Sequence, residues 1–118
     1  MTIEERASGD VIILDVRGAM TIEALTDMLL AEKVRRRLQE GHKQILLNLE
    51  GVSYVDTTGL CHVVEAYVTT KRQGGSLKLL HLTRYVRELL VITRLLTVFE
   101  AYDSEADAVA SFGASAPA

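Results

Sequence analysis

Short apolar runs alternating with stretches of helical spacing constrain this chain more than any other feature. Val11-Ile12-Ile13-Leu14-Asp15-Val16 and Ile45-Leu46-Leu47-Asn48-Leu49 are nearly continuous in apolar character, as strands buried on both faces are. Residues 77–81 predict a further strand, and residues 97–102 a last short one with Val98 and Phe99 apolar. Residues 2–7 suit an edge strand, with Glu4, Glu5 and Arg6 blunting its pairing with other chains. Helical patterns fill the intervals. Strands alternating with helices predict an α/β fold, with helices layered on one sheet.

The helical segments are read from their spacing. Thr21 is placed to cap a helix starting near Ile22, but its apolar phase is not uniform. Ile22, Leu25 and Leu29 share one side, while Leu30, Val34 and Leu38 share another. Either the helix kinks near Leu29, or a short helical turn precedes a main helix to Glu40. Gly18 is expected to end the strand before it, and Gly41 to stop the helix. Residues 84–95 keep helical spacing through Val86, Leu89, Leu90 and Thr93. Asp103-Ser104-Glu105 opens a last helix carrying Ala106, Val109, Ala110 and, near its end, Phe112. A domain over residues 1–112 is expected, with 113–118 a disordered tail.

At 118 residues the chain holds one domain with a modest core. A net charge of −3 argues against a nucleic-acid partner, which calls for a basic face. The basic cluster of Lys33, Arg35, Arg36 and Arg37 is expected on the solvated side of a helix. A single cysteine, Cys61, permits no internal disulfide and suits a reducing compartment. No apolar run approaches the ~18 residues of a membrane span, and the first residues lack the apolar core of a signal peptide. A soluble cytoplasmic domain, without membrane contact, is expected.

No catalytic or metal site stands out. Cys61 and His62 are consecutive, and consecutive helix positions diverge by about 100°, which is poor geometry for a nucleophile and its base. His42, His62 and His81 show no metal-ligand spacing, and no phosphate-binding glycine motif is present. Gly74-Gly75 is better read as a helix stop. No cofactor is expected.

The informative stretch is Asp56-Thr57-Thr58-Gly59-Leu60. Asp56 suits an N-cap whose carboxylate accepts from the backbone N–H of Thr58 or Gly59. Leu60, Val63, Val64, Tyr67 and Val68 then recur at i, i+3, i+4, i+7 and i+8, one apolar stripe running to about Arg72. Its phase predicts Thr57 tucked at the edge and Thr58 outside, on one exposed face with His62, Glu65 and Thr69. Cys61 falls at the flank of the stripe, where a small hydrophobe fits. Gly59 costs the helix about 1 kcal/mol against Ala, which implies that something approaches the backbone there.

Residues 46–60, ending in this motif, resemble the signature of the STAS domain as found in bacterial anti-sigma factor antagonists. Gly74-Gly75-x-Leu-x-Leu and Val86-Arg87-x-Leu-Leu-x-x-Thr match in order and spacing, so the resemblance spans nearly the whole chain. It implies a single STAS-like domain, with a mixed sheet of about five strands packed by about four helices. It also implies that Thr58, directly before the glycine, is the residue phosphorylated by a partner kinase. Thr58 stands where the family often has Ser, Asn48 where Asp is frequent, and Cys61-His62 where small residues are usual.

The function implied is that of a protein-interaction switch and not an enzyme. Unphosphorylated, the face around Thr58 would dock onto an anti-sigma factor with Ser/Thr kinase activity; phosphorylation would weaken docking. Asp56 would present the hydroxyl, Gly59 would let the partner approach, and Thr57, Leu60 and His62 would complete the face. A monomer or weak homodimer is expected. The alternatives are a scaffold subunit of a stress-signalling complex and an accessory subunit of a transporter ATPase.

Overall fold

The computed structural model describes residues 2–20 and 29–114. Five strands form one sheet in the order β1 (Thr2–Ser8), β2 (Val11–Met20), β3 (Gln44–Val55), β4 (Ser76–Leu80) and β5 (Ala101–Tyr102). β1 is antiparallel to β2, and every other pair is parallel, so the sheet is mixed as expected. Among the described residues the helices are α1 (Leu29–Gln39), α2 (Thr57–Arg72), α3 (Arg84–Ile92) and α4 (Glu105–Ala114).

The period-2 geometry of strands sorts each apolar run onto two faces. Ile12, Leu14 and Val16, with Ile45, Leu47, Leu49, Leu77 and Leu79, form the main core beneath α1, α2 and α3. Val11, Ile13, Leu46 and Leu80 point the other way and are covered by Ala108 and Phe112 of α4. The continuous apolar character of these strands follows from their being covered on both sides. In α1, Leu30, Val34 and Leu38 are the buried stripe; Gly41, at φ +96°, ends the helix as expected. The expected Thr21 cap and the possible turn before Leu29 lie outside the described residues.

Several boundaries differ from expectation. β2 does not stop at Gly18. It continues to Met20 with irregularities between Asp15 and Arg17 and between Gly18 and Ala19, and Gly18 takes φ +95° to allow this. β3 likewise runs past the end of its apolar run at Leu49 to Val55. The two extensions pair with each other, Gly51 opposite Arg17 and Val55 opposite Met20, so each supplies the other's backbone partners. α3 ends at Ile92 rather than 95, and β5 keeps only Ala101 and Tyr102; Phe99 is buried, whereas Val98 is exposed. α4 extends to Ala114.

The edge charges do more than blunt β1. Glu5 accepts from Arg37 Nε at 2.9 Å and from Lys33 Nζ at 3.3 Å, tying the edge strand to α1. Only part of the basic cluster is therefore a solvated face. Arg6 reaches the other layer, donating to Asp15 at 2.6 and 3.0 Å and to Glu105 of α4 at 2.7 Å. Asn48 Nδ2 also donates to Asp15 Oδ1, at 2.8 Å. An acid at position 48 would bring two carboxylates together, so the amide suits this pair.

These contacts set the acid stability. The Arg6 hydrogen bonds, with help from Asn48, hold the Asp15 carboxyl below its ordinary pKa, and Arg37 and Lys33 do the same for Glu5. A carboxylate with a depressed folded-state pKa stabilises fully above its unfolded value and loses that stabilisation as pH falls through the folded value. Stability should therefore be level above about pH 5 and fall below about pH 4. In Asp15→Asn the plateau should be lower and the acid limb shallower in urea midpoints measured from pH 7 to 3. An unchanged acid limb would show that the Arg6 pair is screened by solvent.

Candidate functional site

The C-terminal ends of β2 and β3 deliver the start of α2. Asp56 has extended backbone angles (φ −93°, ψ −177°), and its Oδ1 accepts from Gly59 N at 2.8 Å, which makes it the N-cap. Its N–H donates to Met20 O at 3.2 Å, and its carbonyl accepts the first helical bond from Leu60 N at 2.9 Å. The cap is therefore locked to the end of β2 as well as to its own helix.

What approaches Gly59 is this chain's own backbone. A Cβ built there would overlap the Met20 carbonyl oxygen and lie 2.7 Å from its carbon. Gly59 is buried and serves the seating of α2 on the sheet.

That seating rotates α2. Its most buried positions are Gly59, Val63, Ala66 and Thr70, a ridge that includes two of the smallest side chains. Small residues let a helix approach a sheet closely, and the helix turns to use them. The buried direction is displaced from the centre of the stripe Leu60, Val63, Val64, Tyr67 and Val68 by roughly one residue position, ~100°. Leu60, Val64 and Tyr67 become a half-buried flank, and Val68 is 38 % exposed.

The same rotation reverses the two threonines. Thr57 is exposed and Thr58 is half-buried. Thr58 does share a flank with His62, Glu65 and Thr69, but all four are half-buried where an exposed face was expected. Among the described residues, His62 Nδ1 is buried without a hydrogen-bond partner. Cys61, expected at the edge of the apolar stripe, is exposed.

The tertiary fold adds residues that local reading did not single out for the site. Tyr85, in the first turn of α3, stacks on Tyr54 of β3 with ring centroids 5.4 Å apart, and its hydroxyl donates to Val55 O at 3.2 Å. Loss of hydration, followed by the neighbouring Tyr54 and Asp56, pushes the Tyr85 pKa upward. Both residues remain exposed, at 47 % for Tyr54 and 41 % for Tyr85, and so form an aromatic shelf beside the cap. On the outer side of α2 an open groove of about 520 Å³ extends from Thr57 along Leu60, Cys61, Val64 and Val68 to Arg72. Arg35 of α1 and Leu95, just beyond α3, complete its walls. The groove could have been sought in the surplus of apolar positions on α2, which exceed what one buried ridge needs.

The geometry brings together a capped helix start with two hydroxyls, an aromatic shelf and an apolar groove. The family model for the STAS domain matches residues 2–108. The chain belongs to the STAS domain family. The anti-sigma-B factor antagonist of Bacillus subtilis (strain 168) is 33 % identical over 87 residues, which are 74 % of this chain and 79 % of that protein. A Thermotoga maritima structure, reported as a candidate anti-sigma factor antagonist, superposes with a TM-score of 0.84 at 24 % identity, covering 94 % of both chains. The Bacillus cell fate determinant SpoIIAA in its phosphorylated form superposes with a TM-score of 0.70 at 16 % identity, over 93 % of this chain and 98 % of that one. At such identities the superpositions establish that the STAS fold is shared. None of the helices among the described residues is long and apolar enough to cross a membrane.

Proposed function

We propose that this STAS domain is an anti-sigma factor antagonist whose docking onto a kinase-type anti-sigma factor is switched by phosphorylation of Thr58. The observation that carries the reading is the capped start of α2. Thr58 stands directly before Gly59 in the motif, with its helix start held by Asp56 and by the carbonyl of Met20. The 33 % identity to an anti-sigma-B factor antagonist supports the class of partner.

The chemistry is local. A phosphate adds nearly two negative charges, and the N-terminal turn of a helix tolerates them, because free N–H groups and the macrodipole favour anions. The fold would therefore survive modification. An interface formed over the half-buried flank of Thr58 and His62 and the neighbouring Tyr54–Tyr85 shelf would not. Desolvating a dianion there, without a cation placed to meet it, would weaken docking.

Incubation with ATP and a kinase-type anti-sigma factor, followed by intact mass and site mapping, tests this. Wild type should gain one phosphate, Thr58→Ala none, and Thr57→Ala one as in wild type. Affinity for the anti-sigma factor should fall at least tenfold on modification, equivalent to about 1.4 kcal/mol. Thr57 has the more exposed hydroxyl, so its substitution is the informative control. A phosphate that disappears only in Thr57→Ala would transfer the switch to that residue. Absence of both phosphate and binding would defeat the proposal.

A further inference from the structure

The outer groove of α2 has a chemistry that the Thr58 switch does not use. Leu60, Val64, Val68 and Leu95 give it apolar walls. Positions 57, 60, 64, 68 and 72 recur every three or four residues, so they form one ridge about 22 Å long at 1.5 Å per residue. Apolar side chains occupy the middle of this ridge, and Arg72 follows one turn beyond Val68. Arg35 converges on the same groove from α1.

The charges in the groove are unbalanced. The other cations of the α1 cluster that face β1, Lys33 and Arg37, are both paired with Glu5. Among the described residues, Arg35 and Arg72 have no ion-pair partner. Among the described lining residues Glu65 is the one acid, against Arg35 and Arg72, on a chain whose formal net charge is −3. The chain's own acidic helix, α4, cannot fill it, because Ala108 and Phe112 already bury its apolar side on the opposite face of the sheet.

We propose that this groove receives an amphipathic helix with acidic flanks from a partner protein. The apolar stripe of that helix lies on Leu60, Val64 and Val68, and its carboxylates meet Arg35 and Arg72. A straight ridge of side chains at this spacing is what the ridges of another helix pack against, and apolar anchors at i, i+3, i+4 and i+7 are how a helix engages such a groove. The inference goes beyond the Thr58 switch. It requires no phosphate, and its test uses no kinase.

The test uses two fluorescein-labelled, helix-stabilised peptides of about 16 residues, some 24 Å of helix. They share one leucine stripe, with glutamates on the flanks of one and lysines on the flanks of the other. By fluorescence anisotropy, wild type should bind the acidic peptide about tenfold or more tightly than the basic one. The double variant Arg35→Glu/Arg72→Glu should reverse that preference, and Val68→Asp, at a half-open surface position, should lose binding of both. Amide shift changes on binding should follow α2 and spare α4. Equal binding of the two peptides, or a preference that survives the double charge reversal, would overturn the proposal. So would a concentration-dependent dimer in sedimentation that Val68→Asp abolishes, since the occupant would then be a second copy of this chain. Circular dichroism of each variant separates loss of the groove from loss of the fold.

Discussion

Gly59→Ala should destabilise the domain by about 3 kcal/mol or more, the upper range for forcing an extra methyl group into a packed site. Helix propensity argues for the opposite sign, because alanine in place of glycine inside a helix gains about 1 kcal/mol. Contact decides between them. The new Cβ would overlap the Met20 carbonyl oxygen, which is backbone and is already engaged by the N–H of Asp56. Relief would require either α2 to lift from the sheet or the end of β2 to move, and β2 is held there by its pairing with Val55. Urea unfolding of wild type and variant reads the difference directly. A stabilised Gly59→Ala protein would mean that α2 is not seated on Met20, and the rotation that exposes Thr57 would lose its basis. The expected damage includes the cap, so the variant should also weaken any function of the helix start.

Phe112→Ala should cost about 3–5 kcal/mol, the usual range for removing a buried aromatic side chain. The second face of the sheet has α4 as its cover, and Phe112, 1 % exposed, sits there with Val11, Ile13, Leu46 and Leu80. The ring does a second job. Lys78 is buried in the middle of β4, and its ammonium lies 4.7 Å from the Phe112 centroid and 5.8 Å from that of Tyr102. Ser111 Oγ at 3.0 Å and Glu100 at 3.4 Å complete its surroundings. Removing the ring leaves a cavity and takes away one of the groups that stabilise a buried cation. A domain of this size has a total stability of roughly 5–15 kcal/mol, so the variant should be near the limit of folding at 37 °C. Hydrogen exchange should show α4 opening first, while α2 on the other face stays protected. A loss below about 1 kcal/mol would show that α4 is only loosely docked.

Both results bear on how far this protein could be read from its chain. The alternation of apolar runs and helical spacing determined the α/β class, and Asp56 determined where α2 begins, because a side-chain acceptor three residues from a backbone donor is a local matter. The residues carrying the family motif were legible for the same reason. Leu30, Val34 and Leu38 were legible as one helix face, since their spacing needs no knowledge of what they pack against.

The direction α2 faces was not legible in this way. A count of large apolar residues points to Leu60, Val64 and Val68 as the buried side, but burial is decided by fit against the sheet. There Gly59 and Ala66 permit a closer approach than any leucine would. The extension of β3 to Val55 depends on β2 extending beside it, from residues more than thirty positions earlier. The placing of Tyr85 against Tyr54 depends on where α3 lands. Local periodicity therefore determined which residues form α2, and the packing of that helix against β2 decided which of its residues are buried, which threonine is exposed, and that an apolar groove is left open.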